Sequence, residues 1–143
     1  MLITKNYRIY EFAYLLGLPG ALQALLTPDA GRYGFPHFRF FQALLSHGAI
    51  ITAAVYMTTV EGLRPMPWST VRVLLIGNLG VLIVFLINRA IGSNYMYVNR
   101  KPETASILDL LPPWPWYLLY IEGMGVVMIL LLYLPFFIHD LQS

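Results

Sequence analysis

The stretch FPHFRFFQALLSHGAIITAAVYMT, from Phe35 to Thr58, decides the fold class of this chain. It is apolar enough to cross a lipid bilayer, yet it carries Arg39, Gln42, Ser46 and His47. Polar side chains inside a bilayer are costly unless they meet a partner or a water-filled cavity. The stretch therefore predicts a transmembrane helix with an intramembrane polar cluster around His47.

A helical wheel of about 100° per residue divides this helix into two sides. The polar residues share one side with small residues, which are Ala43, Ala49, Ala53 and Ala54. The other side carries bulky apolar residues, which are Phe41, Leu44, Leu45, Ile51 and Val55. Small faces of membrane helices pack on neighbouring helices, so we expect the bulky side to face the acyl chains. His47 lies about 18 Å along the helix from Phe35, close to the middle of a hydrocarbon core that is about 30 Å thick.

The composition of the whole chain supports a membrane protein. Of its 143 residues, 58% are hydrophobic and 11% are charged, with a mean hydropathy of +0.64, whereas soluble domains carry about 25% charged residues. The net charge of +2 comes without a basic run, which argues against nucleic acid as a partner. The absence of cysteine removes disulfides, thiolate metal sites and a cysteine nucleophile from this chain. No cofactor is predicted.

The first apolar run covers residues 9–26 and follows a short basic start. A cleaved signal peptide is the alternative, but the run is long and no small-residue cleavage site follows it. We expect a transmembrane helix that kinks at Pro19, because proline has no N–H to donate to the carbonyl of Leu15. Its polar members are Gln23 and Glu11, and Glu11 is expected at the membrane interface.

Further apolar runs predict spans at 38–59, 71–91 and 116–138, in one integral-membrane domain over residues 1–143. Ser69 or Thr70 is expected to cap the third span. The arginines and lysines near the span ends are too evenly divided to set the orientation. The fold class is therefore predicted as all-α, a polytopic helical membrane bundle at the cell membrane.

Polar residues recur in the last two spans. Asn78 lies near the middle of the third span, and Asn88 and Arg89 lie near its far end. We expect Asn78 to make an interhelical hydrogen bond and the long side chain of Arg89 to extend toward the membrane interface. Glu122 lies in the fourth span, where we expect a partner for its carboxyl group.

The connection at 92–113 is the longest in the chain, and long connections are often functional. Arg100 and Lys101, together with Arg39, are candidates for holding lipid phosphate at the interface. For Asn94 and Tyr95, interfacial anchoring is favoured over substrate contact. Trp114 and Trp116 follow as interfacial anchors.

Four separated motifs resemble one known family. These are YEFAYLLGLPGALQALLTPD (10–29), FPHFRFFQALLSHG (35–48), NYMYVNRKP (94–102) and LLPPWPWY (110–117). In this order they resemble the YwaF-like bacterial integral-membrane proteins over nearly the whole chain. Pro112 departs from the glycine that is frequent before PWPWY. Family members have further N-terminal spans, so the resemblance implies a truncated member, a fragment or one part of something larger.

The resemblance also implies a chemistry. Eukaryotic relatives of the family are phospholipid acyltransferases that use a cysteine and a histidine. His47, in Ser46-His47-Gly48, is the position that matches the histidine, and the cysteine has no counterpart in this chain. Ser46 lies about 100° from His47 on the helix, so the two do not form a dyad.

Three hypotheses of function follow. The first is a non-catalytic membrane protein whose polar residues hold the helices together. The second is a lipid acyltransferase-like enzyme centred on His47, and the third is a small transporter or channel component with His47 and Glu122 lining a polar path. The predicted partners are membrane lipids, with a second copy of the chain or further N-terminal spans beside the small helix faces.

Overall fold

A computed structural model of the chain describes residues 3–26, 34–103 and 107–142. Within these ranges every regular element is helical, which confirms the all-α prediction. The helices are α1 (Tyr7–Phe12), a π-helical segment (Ala13–Gly17), α2 (Leu18–Leu26), α3 (Phe38–Thr59), α4 (Pro67–Ile91) and α5 (Trp116–Gln142). Short 3₁₀ turns occupy Tyr95–Tyr97 and Ile107–Leu110.

Four helical stretches are long and apolar enough to cross a bilayer. They are Tyr7–Leu26, which joins α1, the π-helical segment and α2, and the single helices α3, α4 and α5. Only 6% to 28% of each apolar window is buried inside the chain. Such extensive apolar exposure suits contact with acyl chains and would cause a soluble monomer to aggregate.

The predicted spans agree with these helices except at three ends. The third helix begins at Pro67 rather than at residue 71, because proline is well suited to the first helical position, where its missing N–H is not needed. The prediction that Ser69 or Thr70 caps this helix is therefore wrong. The first span begins at Tyr7, two residues early, and α5 continues to Gln142 through Pro135.

The first span departs from regular α-helix just before Pro19. The backbone N–H of Leu18 donates to the carbonyl of Ala13, so one residue is inserted into the turn. Proline lacks an N–H and its ring crowds the preceding turn, and local π geometry is one way in which membrane helices accommodate it. The irregularity expected at Pro19 thus takes the form of a π-helical segment.

The described residues divide into two compact units. The first unit is Met1–Val73 with Met128–Ser143, where α3 packs against the π-helical segment and α2. Ala54 and Met57 of α3 are fully buried there. A Cβ atom built on Gly17 would lie 3.2 Å from Cγ2 of Ile50, so the first span and α3 approach closely at this glycine.

The predicted division of α3 into two sides is only partly right. Leu44, Leu45 and Val55 are exposed, as expected for a lipid-facing side. Ala54 is buried as expected, whereas Ala43 and Ala49 are exposed within the single chain. The buried residues of α3 are Ala54 and Met57, which are three residues apart on the small side and lie in the second half of the helix.

The second unit is Leu74–Val127, which contains most of α4, the first half of α5 and the connection between them. Val98 and Tyr117 are its buried apolar residues, and Asn88 is buried in the same unit. The single-domain prediction for residues 1–143 stays a prediction.

Candidate functional site

Among the described residues, the most deeply buried ionisable side chain is that of Glu11, with an exposed fraction of 1%. Nη1 of Arg72 donates to both Glu11 oxygens at 2.6 Å, and the hydroxyl of Ser69 donates to Oε1 at 2.6 Å. Oγ of Ser69 also accepts from the backbone N–H of Met66 at 2.8 Å and lies 3.3 Å from the hydroxyl of Tyr7. Glu11 is therefore the centre of a buried network rather than a solvent-exposed carboxylate, and its expected depth at the membrane interface stays a prediction.

Further polar contacts extend this network across the first unit. The hydroxyl of Tyr10 donates to the carbonyl of Leu63 at 2.9 Å and lies 2.9 Å from Oγ1 of Thr58. These bonds join the first span to the end of α3 and to the segment before α4. We call Tyr7, Tyr10, Glu11, Ser69 and Arg72 the Glu11 cluster.

Two exposed ion pairs belong to the same unit as the Glu11 cluster. Arg64 lies 2.5 Å from Asp140, and Lys5 lies 2.7 Å from Glu61. The hydrogen bond and the negative charge of Glu61 raise the pKa of Lys5 above its ordinary value. Ion pairs with exposed members contribute little to stability. The buried hydrogen bonds of the Glu11 cluster therefore contribute more to the stability of this unit than these two ion pairs do.

A second network is built around Asn88, near the end of α4. Its amide nitrogen donates to the carbonyl of Tyr95 at 2.9 Å and to Oδ1 of Asn99 at 2.8 Å. Its amide oxygen accepts from the hydroxyl of Ser93 at 2.7 Å and from the backbone N–H of Tyr95 at 2.8 Å. All four hydrogen-bonding capacities of this buried amide are thus used.

Asn94 fixes the loop that follows. Its oxygen accepts from the backbone N–H groups of Asn99 and Arg100, both at 3.2 Å, and its nitrogen donates to the carbonyl of Arg100 at 2.8 Å. Met96 and Tyr97 adopt positive φ angles of 57° and 52°. Such angles are strained for side chains other than glycine, asparagine or aspartate and cluster at functional positions. We call residues 94–102 the Asn94 loop.

The start of α5 holds the Asn94 loop from its other side. Nε1 of Trp114 donates to the carbonyl of Val98 at 3.1 Å, and the hydroxyl of Tyr117 donates to the carbonyl of Tyr97. Nζ of Lys101 donates to the carbonyl of Leu111 at 2.7 Å and lies 5.8 Å from the ring centroid of Tyr117. Lys101 therefore has a structural role, whereas Arg100 is exposed.

Glu122 and Asn78 meet within the membrane-spanning part of the second unit. The amide nitrogen of Asn78 donates to Oε1 of Glu122 at 2.7 Å and to the carbonyl of Leu74 at 3.0 Å. This contact is the interhelical hydrogen bond expected for Asn78, and it supplies the partner expected for Glu122.

The described contacts of His47 and Ser46 are to their own helix, and the polar cluster expected around His47 stays a prediction. Nδ1 of His47 lies 2.7 Å from the carbonyl of Ala43, and the hydroxyl of Ser46 donates to the same carbonyl at 3.1 Å. Back-bonding of this kind satisfies a polar side chain on its own helix, so a polar neighbour is not required. Because a carbonyl only accepts, Nδ1 carries the proton in this contact, and in the neutral ring Nε2 is then an acceptor.

The remaining candidates on the first span and α3 are exposed side chains. Arg39 and Gln42 are exposed at the start of α3, and Gln23 is exposed on α2. The backbone N–H of Arg39 donates to Nδ1 of His37, which caps α3.

Comparison with known proteins identifies one relationship. Residues 1–133 match the model of the TMEM164 family, a transmembrane family. The chain belongs to the TMEM164 family. No curated protein and no solved structure matches it. It is thus a multi-pass membrane protein of the TMEM164 family, and the YwaF-like resemblance and the acyltransferase relationship stay predictions.

Sequence reasoning missed most partners in this TMEM164 family member. Arg72 and Ser69 lie 61 and 58 residues from Glu11, so no local spacing connects them. The sequence signals that point to these networks are the rarity of a carboxylate within an apolar run and the asparagines at 88, 94 and 99, at the start of the longest connection. Among the described residues, no group of three histidine, aspartate or glutamate side chains is placed to hold a metal ion.

Proposed function

We propose that this protein handles phospholipids, and that it binds a phospholipid headgroup at the Asn94 loop. The observation that carries the proposal is the strained, extensively hydrogen-bonded loop itself. Backbone strain persists only where the surroundings enforce it, and here Asn88 and Asn94 do so through side-chain bonds to the loop backbone. These hydrogen bonds to the backbone hold the side chains of the Asn94 loop in fixed positions.

The side chains that the loop presents suit a lipid headgroup. Tyr95 and Met96 are exposed, and Arg100 is exposed from a backbone that Asn94 holds at both its N–H and its carbonyl. A guanidinium group matches the geometry of a phosphate. Tyrosine and tryptophan favour the membrane interface, and Trp116 is exposed at the start of α5.

Native mass spectrometry of the purified chain tests the headgroup site. Arg100→Gln is expected to reduce the retained phospholipid, because it removes the phosphate-binding charge without touching the buried asparagine. Arg8→Gln is the matched control, since Arg8 is an exposed arginine outside the loop. Equal lipid retention by wild type and Arg100→Gln would refute the proposal.

Acyl transfer between lipids is a second candidate function, and it is supported by the state of His47. The Nδ1 contact to Ala43 holds the ring in one orientation, and in the neutral ring Nε2 is left as a base. Acyl transfer also needs a nucleophile and an oxyanion site. The chain has no cysteine, so a serine or threonine hydroxyl, a substrate hydroxyl or another polypeptide would supply the nucleophile.

Lipid mass spectrometry on membranes with and without the protein tests this second candidate. We expect His47→Phe to leave expression normal and to abolish any lipid acyl exchange that the wild type supports. His139→Phe is the control, because it removes an exposed histidine in the last turn of α5. Unchanged exchange in His47→Phe would remove His47 from the chemistry.

A further inference from the structure

Arg72 has more hydrogen-bond donors than its ion pair uses. A guanidinium group carries five N–H donors on three nitrogens. Both contacts to Glu11 are made by Nη1, at 2.6 Å to each carboxylate oxygen. Within residues 3–26, 34–103 and 107–142, Nε and Nη2 have no hydrogen-bond partner. One N–H group on Nε and two on Nη2 thus remain unbonded, and we call this side of the guanidinium the outer edge of Arg72.

The Glu11 cluster holds this outer edge in a fixed orientation. Glu11 is 1% exposed and is bound by the hydroxyl of Ser69 as well as by Arg72. Because the carboxylate contacts a single nitrogen, it positions the guanidinium without covering its other side. A pre-oriented group loses less entropy when it binds a ligand.

The position of Arg72 near the start of α4 is at the depth expected for lipid headgroups. Arg72 is five residues, about 7.5 Å, from the first residue of α4. Its side chain is 30% exposed, and Trp68, one turn earlier on the same helix face, is 72% exposed. Exposed tryptophan marks the membrane interface, and a long arginine side chain reaches toward it from inside the span.

We propose that the outer edge of Arg72 binds the phosphate group of a phospholipid through two parallel N–H···O bonds. A guanidinium edge held in one orientation matches the geometry of two phosphate oxygens. Glu11 already balances the charge of Arg72, so recognition depends on donor geometry, and zwitterionic and anionic phospholipids both qualify. This site is independent of the Asn94 loop and does not rest on the function proposed there.

Titration of the full chain with dioleoylphosphatidylcholine in dodecyl maltoside, followed by native mass spectrometry, tests the site. Arg72→Lys keeps the positive charge beside Glu11 and removes the planar edge. We expect it to lose one bound phospholipid, or to weaken binding of that lipid by about tenfold, as the loss of one charge-assisted hydrogen bond predicts. Arg8→Lys, a matched exposed arginine in the same unit, is expected to bind as the wild type does.

Several outcomes overturn the proposal. Unchanged lipid binding by Arg72→Lys would do so, as would an equal loss in Arg8→Lys. A parallel sample with inorganic phosphate separates the two sources of phosphate, because an adduct with the mass of phosphate alone at this edge would contradict a lipid ligand. As a control, the melting temperature of each variant is measured in lipid-free detergent, and a value equal to that of the wild type indicates that the fold is retained. Arg100→Gln is expected to abolish binding of a different lipid molecule, at the Asn94 loop. Failure of one proposed site can therefore be distinguished from failure of the other.

Discussion

At the residue scale, the buried polar groups of this protein are satisfied by other polar groups of the chain. Glu11 and Ser69 are both buried, and each makes at least two hydrogen bonds. A buried ion pair is costly to assemble, yet removing one partner costs more because the other charge remains without compensation. The Glu11 cluster therefore gives the clearest energetic prediction.

Arg72→Leu is expected to destabilise the protein by about 3 kcal/mol, because it leaves the buried carboxylate of Glu11 without its cation. The double variant Glu11→Leu with Arg72→Leu is expected to recover most of that loss, since neither charge is then buried alone. Equilibrium unfolding in mixed dodecyl maltoside and SDS micelles, followed by circular dichroism, measures both. A double variant that is less stable than Arg72→Leu would contradict this explanation.

Asn88→Ala gives a second prediction at the same scale. The substitution removes four hydrogen bonds and leaves the N–H and the carbonyl of Tyr95 without their partner. We expect a loss of about 3 kcal/mol and faster proteolytic cleavage within residues 92–103. Asn78→Ala is the comparison, because Asn78 is exposed and holds no loop backbone. Equal cleavage rates in wild type and Asn88→Ala would show that Asn88 does not hold the loop.

At the scale of the elements, the first span shows how a helix adapts to proline and to a close neighbour. Its π-helical segment ends at Gly17, where Ile50 of α3 leaves little room for a side chain. At Gly20, one turn later, an added Cβ atom would meet no neighbouring atom within 4 Å. Two glycines in one span thus have different packing requirements, and this difference can be tested directly.

Gly17→Leu is expected to separate the first span from α3 and to cost about 1–3 kcal/mol, the range typical of overpacking. Gly20→Leu is expected to change stability little, because the space beside that glycine is open. Thermal unfolding of both variants in the same detergent provides the measurement. Equal losses at the two positions would mean that the close approach to Ile50 is not what Gly17 permits.

The ends of the helices show what apolar patterns predict and what they leave open. The bounds of α3 and the start of α5 follow from the change between apolar runs and loops rich in proline and glycine. The start of α4 lies four residues before the predicted one, because hydropathy does not register that Pro67 is a suitable first helical residue. Hydropathy measures apolar length, whereas helix ends depend on local backbone chemistry.

At the scale of the whole molecule, the sequence predicts the membrane fold more fully than the candidate site. Apolar length and composition are sufficient for four spans, since lipid requires every span to satisfy its own backbone. The hydrogen-bond partners of Glu11, Asn78 and Asn88 depend on tertiary contacts between distant parts of the chain. A single sequence does not indicate which distant residues are in contact. The expectation of a cluster around His47 rests on its chemistry alone, whereas its side chain bonds to its own helix.

The central claim is that this chain crosses the membrane four times, and cysteine accessibility tests it most directly. The chain has no cysteine, so each introduced thiol is unique. A membrane-impermeant maleimide is expected to label Thr4→Cys and Leu141→Cys from one side of the membrane and Glu103→Cys from the other, while Leu82→Cys, near the middle of α4, stays unlabelled. Labelling of Glu103→Cys from the same side as Thr4→Cys, or ready labelling of Leu82→Cys, would contradict the four-span account.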